Sequence, residues 1–531
     1  MSTDKSLTGH SHKRIAGSAG VIGLGTLCSR ILGFIRDMII ARVFGVQIYA
    51  QAFVIAFKIP NLFRDLLAEG ATNAAFVPVF TEYQSKHTKE EFWELANVML
   101  NILLVILSLV TIAGIVLAPV IVRLIAPGFA ASPEKLEATV RLTRIIFPYI
   151  LLISLAAYSV SILNSLKHFA VPAFAPCLLN ISIIACALLF GEGVKGLAAG
   201  VLAGGLLQLA VQVPVLYKKG FRIKFPLRFR HPQARVIGKL IMPRIFSSSV
   251  YQLNNFVDSI FGSLAWIVGE GGVAVLYFSY RLIQFPLGIF SASLAQAILP
   301  ALSAHALEDD RAKLKSALVF GLRAVFFVML PASAAFMALS NPIVSTLFGG
   351  GKFNLYAADA TARALFFYSI GLFAYGATRI LQSCFFALKD TATPAKVSFI
   401  ALIMNIVFNA ILIFPMGLSG LALATSISGV GTFFILFLAL KKRLGGFDVR
   451  AVVDSFLRIA FASAGMGFGV YFISGRMMGY SASVWGKAFG LGATVIMGMA
   501  VYAALCFVFK VSELRSLWRL IKEKIRWTPV I

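Results

Sequence analysis

Long apolar blocks run through this chain and leave it few ways to fold. A block of about 18 or more apolar residues crosses a bilayer. Hydrocarbon offers the backbone no water to bond, so each block has to satisfy its own N–H and C=O groups as a helix. We place helices over 15–43, 47–80, 93–126, 138–166, 171–191, 195–217, 236–268, 271–303, 314–347, 358–388, 394–414, 418–441, 452–474 and 485–509. The mean hydropathy is +0.87, with 59% of residues hydrophobic and 13% charged, so apolar residues are not confined to one face of each element. The expected fold class is all-α: a polytopic membrane protein of about fourteen transmembrane helices, which excludes a soluble enzyme.

The net charge of +26 lies mostly in short loops, as the positive-inside rule requires, and not in a nucleic-acid-binding face. Lys218, Lys219, Arg222, Lys224, Arg228, Arg230 and Arg235 follow the sixth helix. Lys441, Lys442, Arg443 and Arg450 follow the twelfth, and Lys510, Arg515, Arg519, Lys522, Lys524 and Arg526 follow the last. The alternate loops Gly269–Gly272 and Phe414–Gly420 carry no Lys or Arg. The basic loops and both termini are therefore expected in the cytoplasm, which requires an even number of spans. The tail from Val511 to Trp527 reads as a topology anchor or as a basic amphipathic helix on the membrane surface. The polar start and the absence of a suitable small-residue cleavage site read as a retained first helix, not a cleaved signal. Five cysteines inside apolar blocks, without CxxC pairing, read as small buried hydrophobes.

An internal repeat organises the chain. Ala75-Phe-Val-Pro78 recurs as Ala297-Ile-Leu-Pro300, and Ile162-Leu-Asn-Ser165 as Ile380-Leu-Gln-Ser383. Pro172-Ala173 recurs as Pro394-Ala395, and Leu179-Asn-Ile181 as Met404-Asn-Ile406, in the same order. The repeat implies an N-terminal six-helix half over 1–217, a basic linker over 218–235 and a second six-helix half over 236–443. Two added helices over 444–510 and a basic tail over 511–531 follow. Six is even, so the halves are parallel repeats, a transporter architecture with its substrate site expected between them.

Charges inside the apolar blocks are the candidate functional residues. One charge at bilayer centre costs about 2.5–3.5 kcal/mol on insertion scales. The first two helices hold Arg30, Arg36, Asp37, Lys58, Arg64, Asp65 and Glu69, too many to face lipid. They line a hydrated cavity, or they form internal ion pairs that hold the helices together. Arg30 and Asp37, seven apart, share a helical face, while Arg36 and Arg64 point elsewhere on ideal helices. In the second half Arg281 has no acidic neighbour within a turn, and a guanidinium suits phosphate oxygens bidentately. Arginines of both halves are thus expected to meet one anionic substrate. Arg379 is a weaker candidate that snorkels equally well. Asn254 and Asp258, with Asn405, Asn409 and Thr425, form an oxygen-rich set. It suits Na⁺, or a proton carried on Asp258, or plain helix–helix hydrogen bonding. Metalloprotease HExxH spacing and a Walker A loop are absent, so covalent catalysis is not expected.

Several segments resemble a known family. They are Ser29-Arg-Ile-Leu-Gly-Phe-Ile-Arg-Asp37, Phe57-Lys-Ile-Pro-Asn-Leu-Phe-Arg64, Ala68-Glu-Gly70, Ala75-Phe-Val-Pro78 and Phe147-Pro-Tyr-Ile-Leu-Leu-Ile-Ser154. Pro172-Ala-Phe-Ala-Pro176 and Tyr280-Arg-Leu-Ile-Gln-Phe-Pro286 extend the match over the whole chain. They closely resemble the MurJ (MviN-type) lipid II flippases of the multidrug/oligosaccharidyl-lipid/polysaccharide exporter superfamily. The resemblance implies fourteen helices, alternating access and transfer of the undecaprenyl-diphosphate-linked peptidoglycan precursor to the periplasmic leaflet of the bacterial inner membrane. It places Arg30, Arg36, Asp37, Arg64 and Arg281 in the substrate cavity, and a cation at Asp258, Asn405, Asn409 and Thr425. It also implies a groove formed with the last two helices for the polyprenyl tail. No cofactor is expected. The coupling source stays open between Na⁺, H⁺ and membrane potential, and partners are lipid II, membrane lipids and the cell-wall synthesis machinery. The alternative is an exporter of another polyprenyl-linked saccharide or of drugs. Gln51, Asp65 and Tyr280 depart from residues common among relatives.

Overall fold

The computed structural model describes residues 3–64, 72–191, 193–224, 228–308, 310–478 and 484–514, and there it is helical throughout, with one isolated bridge between Gly350 and Phe353. Asp65, Glu69, the Ala68-Glu-Gly70 segment and the tail from Arg515 onward lie outside the described residues. Each of the expected helical segments meets a helix or an interrupted helix. Among the described residues ten helices are long and apolar enough to cross a membrane, or eleven if the pair Leu355–Ile370 and Leu372–Ala387 is one span.

The interruptions have local causes. Pro148 lacks an N–H and separates Pro133–Ile146 from Tyr149–Ser165. The 44° bend between Leu355–Ile370 and Leu372–Ala387 falls at Gly371, where a Cβ would stand 2.9 Å from the Cα of Ser426. Pro286 leads the helix Gly272–Pro286 into a π-helical turn, Leu287–Ser291, before Ala292–Leu307 resumes.

Two compact units pack separately, residues 1–264 and 265–531. In the first, Phe76, Phe80, Phe92, Trp93 and Tyr158 form a core, and the Tyr158 hydroxyl donates to the Ala96 carbonyl at 2.6 Å. The helix Pro232–Gly262, which the repeat assigns to the second half, packs on Thr72–Lys86 and Lys89–Ile125 of the first. In the second, Phe326, Phe373, Phe433 and Phe456 meet edge to face or tilted.

The repeat extends to the backbone. Helix Tyr149–Ser165 ends with Lys167 at φ 57°, and Leu372–Ala387 with Lys389 at φ 57°. The closing bonds match: His168 N to Leu163 O and Lys167 N to Asn164 O in one half, Asp390 N to Phe385 O and Lys389 N to Phe386 O in the other. This is the Schellman ending, which satisfies the last carbonyls through a left-handed residue. Gly191 and Gly417, after the next helices, share an unusual geometry as well, φ 56° ψ −133° and φ 53° ψ −128°.

Candidate functional site

In the first unit the site is built by the helices Thr3–Phe44 and Ala170–Phe190. They approach closely: a Cβ on Gly25 would stand 2.5 Å from the carbonyl oxygen of Ala173. Below this contact Arg36 and Asp37 are buried, at 4% and 0% exposure. The Arg36 Nη2 donates to Asp37 Oδ1 at 2.7 Å, its Nε to the same oxygen at 3.0 Å, and its Nη1 to Asn180 Oδ1 at 3.1 Å. Asn180 Nδ2 in turn donates to the Ser29 carbonyl at 3.1 Å. A charge pair so buried is tolerated because hydrogen bonds satisfy both partners.

Helical phase alone misplaces these side chains. Arg30 and Asp37 share an ideal face, yet Arg30 is exposed and Asp37 is not. Arg36 should point elsewhere, but its long arm folds back onto the neighbouring carboxylate. Asn180 is the residue that the search for charges missed. Its signal was present in the repeat, where Leu179-Asn-Ile181 matches Met404-Asn-Ile406.

On the helix Ile48–Phe63, Lys58 donates to the Ser259 hydroxyl and stands 5.6 Å from the Phe256 ring centroid. Asp258 interacts with it electrostatically. Lys58 is thus engaged by the helix Pro232–Gly262 within the same unit. Arg64 is half-buried at the end of Ile48–Phe63, and Gln51 is buried and donates to the Val46 carbonyl at 3.1 Å.

In the second unit Arg281 is half-buried on Gly272–Pro286, six residues before the π-helical turn begins at Leu287. The neighbouring Tyr280 ring lies 5.4 Å from that of Tyr368. Asn405, Asn409 and Thr425 come together, all buried. Asn405 Nδ2 donates to Thr425 Oγ1 at 3.2 Å, and Asn409 Nδ2 to Asn405 Oδ1 at 3.0 Å. Asp258, the fourth member of that expected set, belongs to the first unit.

Two further polar arrangements had no sequence signal. The segments 220–224 and 228–231 are pinned to the helix Lys89–Ile125. Asn97 Nδ2 donates to the Arg222 carbonyl at 2.9 Å and Asn101 Nδ2 to that of Arg228 at 3.0 Å, while Arg228 pairs with Glu94. His231 precedes the next helix, its Nδ1 accepting from Gln233 N at 3.2 Å to cap Pro232–Gly262. Burial, reinforced by His87 and opposed by Glu94, holds the His231 pKa below the ordinary histidine value. In the second unit Arg323 Nε donates to Glu513 Oε1 at 2.6 Å, and the Ser455 hydroxyl donates to the same oxygen at 2.6 Å.

Apolar helices long enough to cross a membrane, with charged groups buried among the helices, define a multi-pass membrane protein. The solved inward-facing conformation of a multidrug resistance MATE family transporter of the MOP superfamily shares the fold, with a TM-score of 0.66 at 19% identity over 78% of this chain and 94% of that one. A model of the family described as "Lipid II flippase MurJ" matches residues 40–489, and the chain belongs to that family. A probable lipid II flippase MurJ of Buchnera aphidicola subsp. Acyrthosiphon pisum is 38% identical over 427 residues, covering 80% of this chain and 82% of its own. The solved lipid II flippase MurJ in its inward closed conformation aligns with a TM-score of 0.77 at 27% identity, over 93% of this chain and 99% of that one.

Proposed function

We propose that this chain flips lipid II, the undecaprenyl-diphosphate-linked peptidoglycan precursor, from the cytoplasmic to the periplasmic leaflet of the bacterial inner membrane. The observation that carries the reading is the family match over residues 40–489. The chain acts as a transporter with no covalent step, by alternating access. Arg30, Arg36, Arg64 and Arg281 take the diphosphate and headgroup, with Asp37 orienting Arg36. A guanidinium serves here because its planar donors match phosphate oxygens in pairs. Both termini face the cytoplasm. Lys167, Lys389 and Lys510 support this orientation: each occupies the left-handed position that closes a helix whose end the charge rule assigns to the cytoplasm.

The cycle is reset by Na⁺, by H⁺ or by membrane potential, a unit charge moved through 100 mV being worth about 2.3 kcal/mol. Asp258, Asn405, Asn409 and Thr425 are the candidate cation ligands. The oxygens of Asn405 and Thr425 each already accept one bond within their own cluster, so a cation there would take their remaining acceptor capacity. Partners beyond lipid II are membrane lipids and the enzymes of cell-wall synthesis.

The test is depletion of the protein with a lipid II leaflet assay, complemented by Arg281→Ala and Arg30→Ala. Lipid II should vanish from the outer leaflet on depletion, and neither variant should restore it. Persistent outer-leaflet lipid II without the protein would end the flippase reading, and full complementation by both variants would remove the arginines from it.

A further inference from the structure

A cavity of about 730 Å³ opens in the second unit between the helices Ala292–Leu307, Arg311–Ala338 and Val449–Met478. Its body is apolar, with Phe290, Leu294, Phe320 and Phe327 on the wall, and among the described residues none of its lining lies on Val484–Val508. Among the described residues, the charged ones that line it are Lys315, Arg323, Asp448 and Glu513.

These charges sit on two levels. Arg323 and Glu513 neutralise each other, with the Ser455 hydroxyl on the same carboxylate. Lys315 precedes Arg323 by eight residues, about 12 Å along a helix. Asp448 precedes Ser455 by seven, about 10 Å. The helices Arg311–Ala338 and Val449–Met478 pack on each other, and the Arg323–Glu513–Ser455 contact ties their levels. Both of the outer charges therefore fall toward the same end of the cavity, where the helices begin. No ion pair joins them among the described residues. The nearby Lys313 is taken by Asp310 at 3.0 Å, and Asp448 Oδ1 caps its own helix through Ala451 N at 2.9 Å.

An occupant of this cavity therefore has an apolar chain and a head carrying both signs. A purely anionic head gains at Lys315 what it loses at Asp448. We propose that the cavity holds a zwitterionic aminophospholipid, its phosphate at Lys315, its ammonium at Asp448 and an acyl chain along Phe290 and Phe327. Such a lipid is a resident component of the fold and is independent of the lipid II reading. A carboxylate and an ammonium also distinguish it from a choline lipid, whose methylated head donates no hydrogen bond.

The test uses the full chain in nanodiscs containing equal amounts of phosphatidylethanolamine, phosphatidylglycerol and phosphatidylcholine, followed by native mass spectrometry of the retained lipid. Phosphatidylethanolamine should be retained at least fivefold over each of the others. Lys315→Gln with Asp448→Asn should erase that preference with an unchanged melting temperature, since Asn caps a helix as well as Asp. Independently of those variants, Phe290→Trp should be quenched by brominated acyl chains of phosphatidylethanolamine more than by those of phosphatidylglycerol. Equal retention of the three lipids overturns the proposal. So does displacement of the retained lipid by an equimolar polyprenyl phosphate, which would assign the cavity to the substrate's tail.

Discussion

The two units answer the same repeat with different chemistry. Asn180 and Asn405 occupy matching places in Leu179-Asn-Ile181 and Met404-Asn-Ile406. In the first unit the asparagine receives a guanidinium, and a buried Arg36–Asp37 pair hangs on it. In the second it meets an amide and a hydroxyl, those of Asn409 and Thr425. The backbone endings at Lys167 and Lys389 hardly differ. A duplicated scaffold thus keeps its helix stops while its interior polarity diverges, because the stops depend on local geometry and the interior only on having its bonds satisfied.

The largest expected effect breaks the charged side. Asp37→Ala leaves Arg36 buried without its carboxylate, a loss of about 3–5 kcal/mol where one partner of a buried pair is removed. Thermal unfolding in nanodiscs should fall sharply, and a double variant that also carries Arg36→Leu should recover part of the loss. An unchanged melting temperature would mean that the pair does not hold the first unit.

Packing gives the next effect. Each unit seats a tyrosine ring over a glycine. A Cβ on Gly205 would stand 2.7 Å from the Tyr149 ring, and one on Gly429 would stand 2.1 Å from that of Tyr375. Gly429→Ala should cost about 1–3 kcal/mol, the range for overpacking, and more than Gly205→Ala. Tyr375→Leu should rescue it; equal losses at the two glycines would remove the distinction.

The neutral side should yield much less. Thr425→Ala removes one interhelical bond, and such bonds in membranes average about 0.6 kcal/mol. A loss comparable to that of Asp37→Ala would instead assign the cluster a charged occupant, and a Na⁺-dependent melting temperature lost in the variant would identify it.

The smallest effect is pH-dependent and confined to the first unit. With its pKa depressed, His231 adds stability that is present above the ordinary histidine value of about 6.5 and lost as pH falls through its own lower value. On protonation Nδ1 can no longer accept from Gln233 N. His231→Asn keeps a cap that does not titrate, so its melting temperature should fall less than that of the parent between pH 7.5 and 5.5, by the equivalent of about 1 kcal/mol or less. Parallel curves would show that the cap carries no weight.

The sequence by itself determined the helices and the repeat. Apolar blocks must become helices in hydrocarbon, and each expected block meets one, although Pro148 and Gly371 interrupt helices drawn as continuous. It also nominated Arg36, Asp37, Asn405, Asn409 and Thr425 as a short list of costly residues. Only the tertiary structure decided which neighbour each one has. It put Asp37 inside and Arg30 outside, gave Lys58 to Ser259, and packed Pro232–Gly262 with the first unit. Periodicity fixes which side of a helix a residue occupies. What stands opposite, and how far a flexible arm reaches to meet it, depends on chain segments more than a hundred residues away, such as Asn180 for Arg36 at a separation of 144.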